Sequence, residues 1–447
     1  MKQNQSKSSV PKTSSSVSSS VSSSISSSSK TSIPKPPVKK SIPKPSVSSP
    51  VPKMNYSKFI THSMNKVPRS GIRKYFDIAE GIEDVISLGV GEPDFVTPWH
   101  IREMCIHSIE KGETAYTSNF GLLELREEIS KRYKKDYGIY YDPKSEILVT
   151  TGVSEAADIA IRCLINPGDE IIVVQPAYVS YVPLIHLAGG IPVSVSAKRE
   201  NDFRVTPEDI LPKISKKTKA IIFNYPNNPT GAIMTRKDFE AVADIIVEYD
   251  LFVISDEVYE CMTYEGTHVP FTAIEGMKER TILLNGFSKS YSMTGFRLGY
   301  ALAPPEIISA MMMIHQYCML CAPVTAQIGA IEALKNGREE MLSMIREFDR
   351  RRVLIVDGFN RLGLDCFEPK GAFYSFPSIR STGLTSEEFA DQFFAQKHVI
   401  TIPGNIFGET GTGHMRCAYA ASRDDIKDAL DRLEDFLNNL NKNKKKK

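Results

Sequence analysis

The chain has 447 residues, 41% of them hydrophobic and 24% charged, with a formal net charge of +2. That length is too great for one small core, and no apolar run approaches the roughly twenty residues that cross a bilayer. The seven cysteines are irregularly spaced, so they do not make a disulfide framework and fit a reducing, cytoplasmic setting.

The charge is unevenly spread. Residues 1–76 hold fourteen Lys/Arg and no Asp or Glu, and residues 442–447 hold five lysines. The stretch between is acidic, about −17. A core that tracks nucleic-acid phosphates would be positive instead.

Residues 1–53 are Ser, Pro and Lys with isolated Val or Ile. Runs such as Ser26–Ser29 cannot bury a core, so this extension is expected to be disordered. A transit peptide is a rival reading, being Ser-rich and acid-poor. Against it, arginine is absent before Arg69 and prolines interrupt any amphipathic helix.

A helical pattern runs from Phe59 to Ala79. The strand Val85–Leu88 follows, and then Gly89 and Gly91, where backbone can approach a neighbour closely. After Ala115-Tyr-Thr-Ser-Asn-Phe-Gly121 an amphipathic helix opens. Strands are predicted at Ile147–Thr150, Glu170–Val174, Ile191–Val195, Ala220–Asn224 and Leu251–Ser255. Helices at Ser154–Ile165, from Thr206 and from Thr235 to Val247 alternate with them, the last opened by a capping box. Such alternation implies a mostly parallel sheet covered by helices, with ligands beyond the carboxyl ends of its strands. Beyond Pro304 helices are expected at Met311–Ala322, Val324–Leu334 and Arg338–Leu362. A small α+β unit closes the chain, with strands near Gly371–Phe376, Val399–Ile402 and Met415–Ala420, and helices after Thr385 and from Arg423 to Leu440.

The stretch Asn285-Gly-Phe-Ser-Lys-Ser-Tyr-Ser-Met-Thr-Gly-Phe-Arg-Leu-Gly299 carries the chemistry. The apolar run Thr281–Leu284 leads into it as a buried strand. Lys289 then stands in a loop beside hydroxyls, with Arg297 eight residues on. A lysine so placed can form an imine with a phosphorylated aldehyde whose phosphate needs Ser288 and Arg297. Asp256 follows a strand and could pair with a protonated pyridine nitrogen, keeping that ring cationic. The Tyr259 phenol, and the Asn228 amide in Asn224-Tyr-Pro-Asn-Asn-Pro-Thr-Gly231, could donate to a ring oxygen. Gly152, Val153 and Ser154 start a helix, where free N–H groups suit a phosphate. Asn228, Asp256 and Lys289 stand about thirty residues apart, the size of one strand–helix–strand unit. They therefore fall at neighbouring strand ends.

Those strings resemble the class I/II aminotransferases of the fold-type I pyridoxal 5′-phosphate (PLP) enzymes. The likeness covers about residues 67–440. Ser70-Gly-Ile-Arg-Lys-Tyr-Phe-Asp77, Leu88-Gly-Val-Gly-Glu-Pro-Asp-Phe95 and Lys370-Gly-Ala-Phe-Tyr-Ser-Phe376 look most like archaeal and bacillar aspartate or aromatic aminotransferases. The resemblance implies an α/β large domain at 99–325 and a smaller α+β domain built from 54–98 and 326–441, with a Lys-rich tail at 442–447. It implies that Tyr178 stacks on the cofactor ring and that Gly91 lies on its substrate side. Tyr116 would reach the cofactor phosphate of a neighbour across a homodimer interface. Arg416 would grip the substrate α-carboxylate. Cis peptide bonds are implied before Pro229 and Pro176.

The function so implied moves an amino group from an L-amino acid to a 2-oxo acid such as 2-oxoglutarate, by ping-pong kinetics. The alternative is a β- or γ-elimination lyase on the same cofactor. A binding protein on this fold would carry a DNA-binding module in front, and the Ser/Pro stretch has no such pattern. No metal is expected. Cys318 and Cys321 with His315 have metal-like spacing but no second pair, and read as helix packing.

Overall fold

The computed structural model describes residues 53–68, 70–79 and 81–444. All but Lys53 of the predicted extension, and the last three lysines, lie outside the described residues. The chain divides into residues 1–58, whose described part ends in a 3-10 turn at Tyr56–Lys58, and residues 59–447, which hold every element below.

The strands, in chain order, are β1 (Ile86–Ser87), β2 (Ile147–Thr150), β3 (Glu170–Gln175), β4 (Ile191–Ser196), β5 (Thr218–Asn224) and β6 (Phe252–Asp256). They continue with β7 (Thr281–Gly286), β8 (Gly299–Leu302), β9 (Tyr374–Ser375), β10 (Val399–Ile400), β11 (Ile402–Pro403) and β12 (Met415–Ala418). Seven of them form one sheet in the order β2-β8-β7-β6-β5-β3-β4. β8 pairs antiparallel with both of its neighbours, and every other pairing is parallel. The fold is therefore α/β with a mostly parallel sheet, as the alternation of elements implied.

Strand periodicity divides the buried side chains between the two faces. From β5, Ile221 and Phe223 join one cluster with Phe239, Val242 and Ile246 of the helix Arg236–Glu248. Ala220 and Ile222 join the other cluster, with Ala156, Ile159 and Ala160 of the helix Gly152–Leu164. Each fully buried Ile, Val or Leu contributes roughly 1.5–3 kcal/mol. A sheet covered on both faces leaves only its strand ends open to a ligand.

A second group of short strands lies outside that sheet. β11, β12 and β9 are antiparallel, and β1 pairs in parallel with β10. The pairing of Ile86 with Val399 joins segments more than three hundred residues apart.

Several expectations need correction. The pattern from Phe59 to Ala79 is a 3-10 turn at His62–Lys66 and a helix only at Gly71–Ala79, because Pro68 interrupts it. The helix expected at Met311–Ala322 runs instead from Pro305 to Cys318. It ends there, before Leu320 adopts a left-handed φ of 70°. Two helices, Trp99–Glu110 and Tyr181–Leu187, were not expected. In the first, Met104, Ile106 and Ile109 are exposed and blur the stripe of Ile101 and Cys105. In the second, Pro183 sits in the first turn, where it is tolerated.

Candidate active site

At the carboxyl ends of β2, β3, β5, β6 and β7 lies a cavity of about 310 Å³. The start of the antiparallel β8 reaches the same end. Gly91, Val153, Ser154, Tyr178, Asn228, Asp256, Tyr259, Ser288, Lys289, Arg297 and Arg416 all line it. β5, β6 and β7 are adjacent in the sheet, so Asn228, Asp256 and Lys289 stand at neighbouring strand ends as their spacing implied.

Lys289 is half-buried, and its Nζ donates to the Gly91 carbonyl at 2.5 Å. Burial pulls this amine down to about 8, while Glu92 pulls it the other way. The neutral, nucleophilic form therefore becomes the major one as pH rises through about 8. We expect reductive trapping of a small aldehyde at Lys289 to follow that midpoint. A profile that rises only near the ordinary lysine value of about 10.4 would contradict the buried placement.

Asp256 ends β6 and is 5% exposed. Burial pushes its carboxyl up to about 6, opposed by the Tyr181 hydroxyl donating at 2.6 Å and the Val258 N–H at 3.2 Å. Tyr259 lies in a turn, with Glu260 N–H bonded to the Glu257 carbonyl at 2.9 Å. Its hydroxyl is 2.8 Å from that of Tyr374.

Arg416, on β12, is 2% exposed. Its guanidinium donates to Asn228 Oδ1 at 3.1 Å and to the Gly89 carbonyl at 2.6 Å. It lies over the rings of Tyr374 and Phe407, 4.7 and 4.8 Å from their centroids. Its Nε is buried without a hydrogen-bond partner.

The helix Gly152–Leu164 starts at the cavity, with Val153 and Ser154 in its lining, and its first-turn N–H groups have no intrahelical acceptor. Gly152 does not line the cavity but backs it. A Cβ there would stand 2.7 Å from Arg297 Nη2, and its φ of 78° also suits glycine. Gly299 lets the strand after the lysine loop press on that helix start, since a Cβ there would meet Val153 N at 2.6 Å.

Tyr116 is not brought to this cavity. It is 82% exposed and stands beside a separate cavity lined by Met104, His107 and Ile328. Among the further residues that line the site and that sequence reasoning did not assign to it are Tyr181, Asn224 and Tyr374. Asn224 Nδ2 donates to the Asp256 carbonyl and its Oδ1 accepts from Asn228 N–H, so it ties two strand ends together. Asn224 and Tyr374 lie inside the motifs Asn224–Gly231 and Lys370–Phe376, and Tyr181 stands three residues after Tyr178. Cis peptide bonds precede Pro176 and Pro229, as implied, and also Pro226. Of His315, Cys318 and Cys321 only the histidine packs inside the helix as expected, buried with Nδ1 2.6 Å from Glu155 Oε1, whereas Cys318 ends the helix exposed and Cys321 lies beyond it.

The sequence pattern of the family described as Aminotransferase class I and II matches residues 83–433. The chain belongs to that family. This aminotransferase is 46% identical over 85% of its length to a putative aminotransferase, YugH, of Bacillus subtilis, 99% of which is covered. It is 44% identical over 84% of its length to an aspartate aminotransferase of Pyrococcus abyssi, covering 97% of that protein. The solved structure of an aromatic aminotransferase from Pyrococcus horikoshii superposes with a TM-score of 0.78 at 43% identity, over 82% of this chain and 99% of that one. The enzyme is thus a transaminase, and these likenesses favour amino-group transfer over the elimination alternative. No helix among the described residues is long and apolar enough to cross a membrane.

Proposed function

We propose that the aminotransferase uses PLP to move the amino group of aspartate or an aromatic L-amino acid to a 2-oxo acid, with 2-oxoglutarate as acceptor. The observation that carries this reading is one cavity in which the lysine and an arginine of one stretch meet a buried carboxylate and a second arginine from two others. The donor set fits the cofactor. Asp256 suits a ring nitrogen, Asn228 and Tyr259 suit a ring oxygen, and Tyr178 offers an aromatic face. Ser288, Arg297 and the N–H groups at Gly152, Val153 and Ser154 suit a phosphate. The N–H groups that Arg416 does not spend on Asn228 and Gly89 suit a carboxylate partner in the cavity.

When bound, PLP supplies an aldehyde for the amine and a ring that accepts the electrons released at the substrate α-carbon. Lys289 Nζ is the one amine among the described residues lining the cavity, and burial keeps much of it neutral near pH 8. It takes the α-proton and returns it on the other side of the transfer. Arg416 fixes the carboxylate and so orients the bond that loses its proton. Asp256 stays ionised opposite. The division into a large domain at 99–325 and a small domain from 54–98 and 326–441 belongs to the same reading. So does a cytoplasmic homodimer in which Tyr116 serves the neighbouring site, supported by the exposure of Tyr116.

A donor panel of aspartate, tyrosine, phenylalanine and alanine with 2-oxoglutarate tests the reading. Glutamate should form with aspartate or an aromatic donor at least tenfold faster than with alanine. Pyruvate and ammonia from one substrate, with no glutamate, would point to the lyase instead.

A further inference from the structure

We propose that Tyr181 is a positioning residue: its hydroxyl holds the Asp256 carboxylate ionised and turned so that the site selects a ring carrying a protonated nitrogen. The inference rests on the PLP reading above and adds a residue to it. Tyr181 opens the helix Tyr181–Leu187 beyond β3, two strands away from β6. It is 2% exposed, and its hydroxyl reaches Asp256 Oδ2 at 2.6 Å.

That contact has a direction. A phenol facing an ionised carboxylate donates its proton in a charge-assisted bond. Facing a neutral carboxyl, it would have to share the contact with a second proton, so the ionised form is favoured. Burial acts the opposite way, and the neighbouring Glu257 adds to it, while Lys289 across the cavity opposes both. Only two hydrogen bonds to this carboxylate come from the described residues, the Tyr181 hydroxyl to Oδ2 and the Val258 N–H to Oδ1. Without the first, burial and Glu257 would meet one donor fewer.

The same ring also packs edge-on against Tyr178, with centroids 5.5 Å apart. One side chain therefore supports both the group expected under the ring nitrogen and the group expected on the ring face.

Tyr181→Phe keeps that packing and removes only the hydroxyl. Its test is the affinity of the full chain for PLP and for the analogue in which C–H replaces the ring nitrogen. The wild-type chain should prefer PLP. In Tyr181→Phe that preference should fall roughly tenfold, the size of one hydrogen bond to a charged group, with the analogue held as before. In an Asp256→Asn background, Tyr181→Phe should change the preference no further. A preference unchanged by Tyr181→Phe, or an equal loss of both ligands, overturns the assignment while leaving the PLP reading intact. A wild-type chain that binds neither molecule overturns that reading, and this inference with it.

Discussion

Lys289→Ala should lower turnover by about 10⁴-fold or more and abolish the visible absorbance of the loaded enzyme. The expectation follows from what the cavity lacks once this side chain is gone. Its remaining cations are Arg297 and Arg416, and a guanidinium neither gives up its proton nor serves as a base in a protein. Asp256 is buried and faces Tyr181 and Val258, so it is committed elsewhere. Tyr259 and Tyr374 are bonded to each other, and burial raises both phenols above their ordinary range. No other group at the site can bond an aldehyde and move a proton near neutral pH. The fold should survive, because Lys289 makes one hydrogen bond, to the Gly91 carbonyl, and is not part of the core. Single-turnover kinetics, an absorbance spectrum and a thermal melt make the measurement. A variant that retains both colour and turnover would show that the lysine was wrongly chosen.

The parts of the site that were legible in the sequence are those set by local chain geometry. Strands recurring roughly every thirty residues carried Asn228, Asp256 and Lys289 to the ends of β5, β6 and β7, although only β5 is followed by an α-helix and β6 is followed by two 3-10 turns instead. The helix start at Gly152 was legible for the same reason. Arg416 was not legible from spacing. It lies on β12, in a different sheet, and reaches Asn228 across 188 residues of chain. Only the family resemblance pointed to it. Tyr181 was missed because its partner stands 75 residues away, and a half-helix containing Pro183 gives no strong pattern. The helix Trp99–Glu110 failed for another reason. A surface that leaves Trp99, Ile106 and Ile109 exposed breaks the link between apolar residue and core on which periodicity depends. Apolar side chains left open in this way are what a subunit contact would cover, which agrees with the proposed dimer.

Arg416→Lys should cost about 10³-fold in kcat/KM for amino acids while leaving the reaction with a simple amine, which has no carboxylate, nearly unchanged. Two parallel hydrogen bonds from a guanidinium to a carboxylate, each worth roughly 1.5–3 kcal/mol, account for a loss of that order. A lysine supplies charge but not the fork. The structure makes the guanidinium plane hard to replace. Tyr374 and Phe407 clamp it on two sides, and Asn228 Oδ1 and the Gly89 carbonyl hold it by two bonds. Those bonds take two of its five N–H groups, which leaves an N–H on each Nη for a carboxylate. The comparison with a simple amine matters because loss of a purely structural residue would slow both substrates alike. Should Arg416→Lys slow both equally, the arginine supports β12 and its neighbours rather than the substrate, and the carboxylate must be held elsewhere in the cavity.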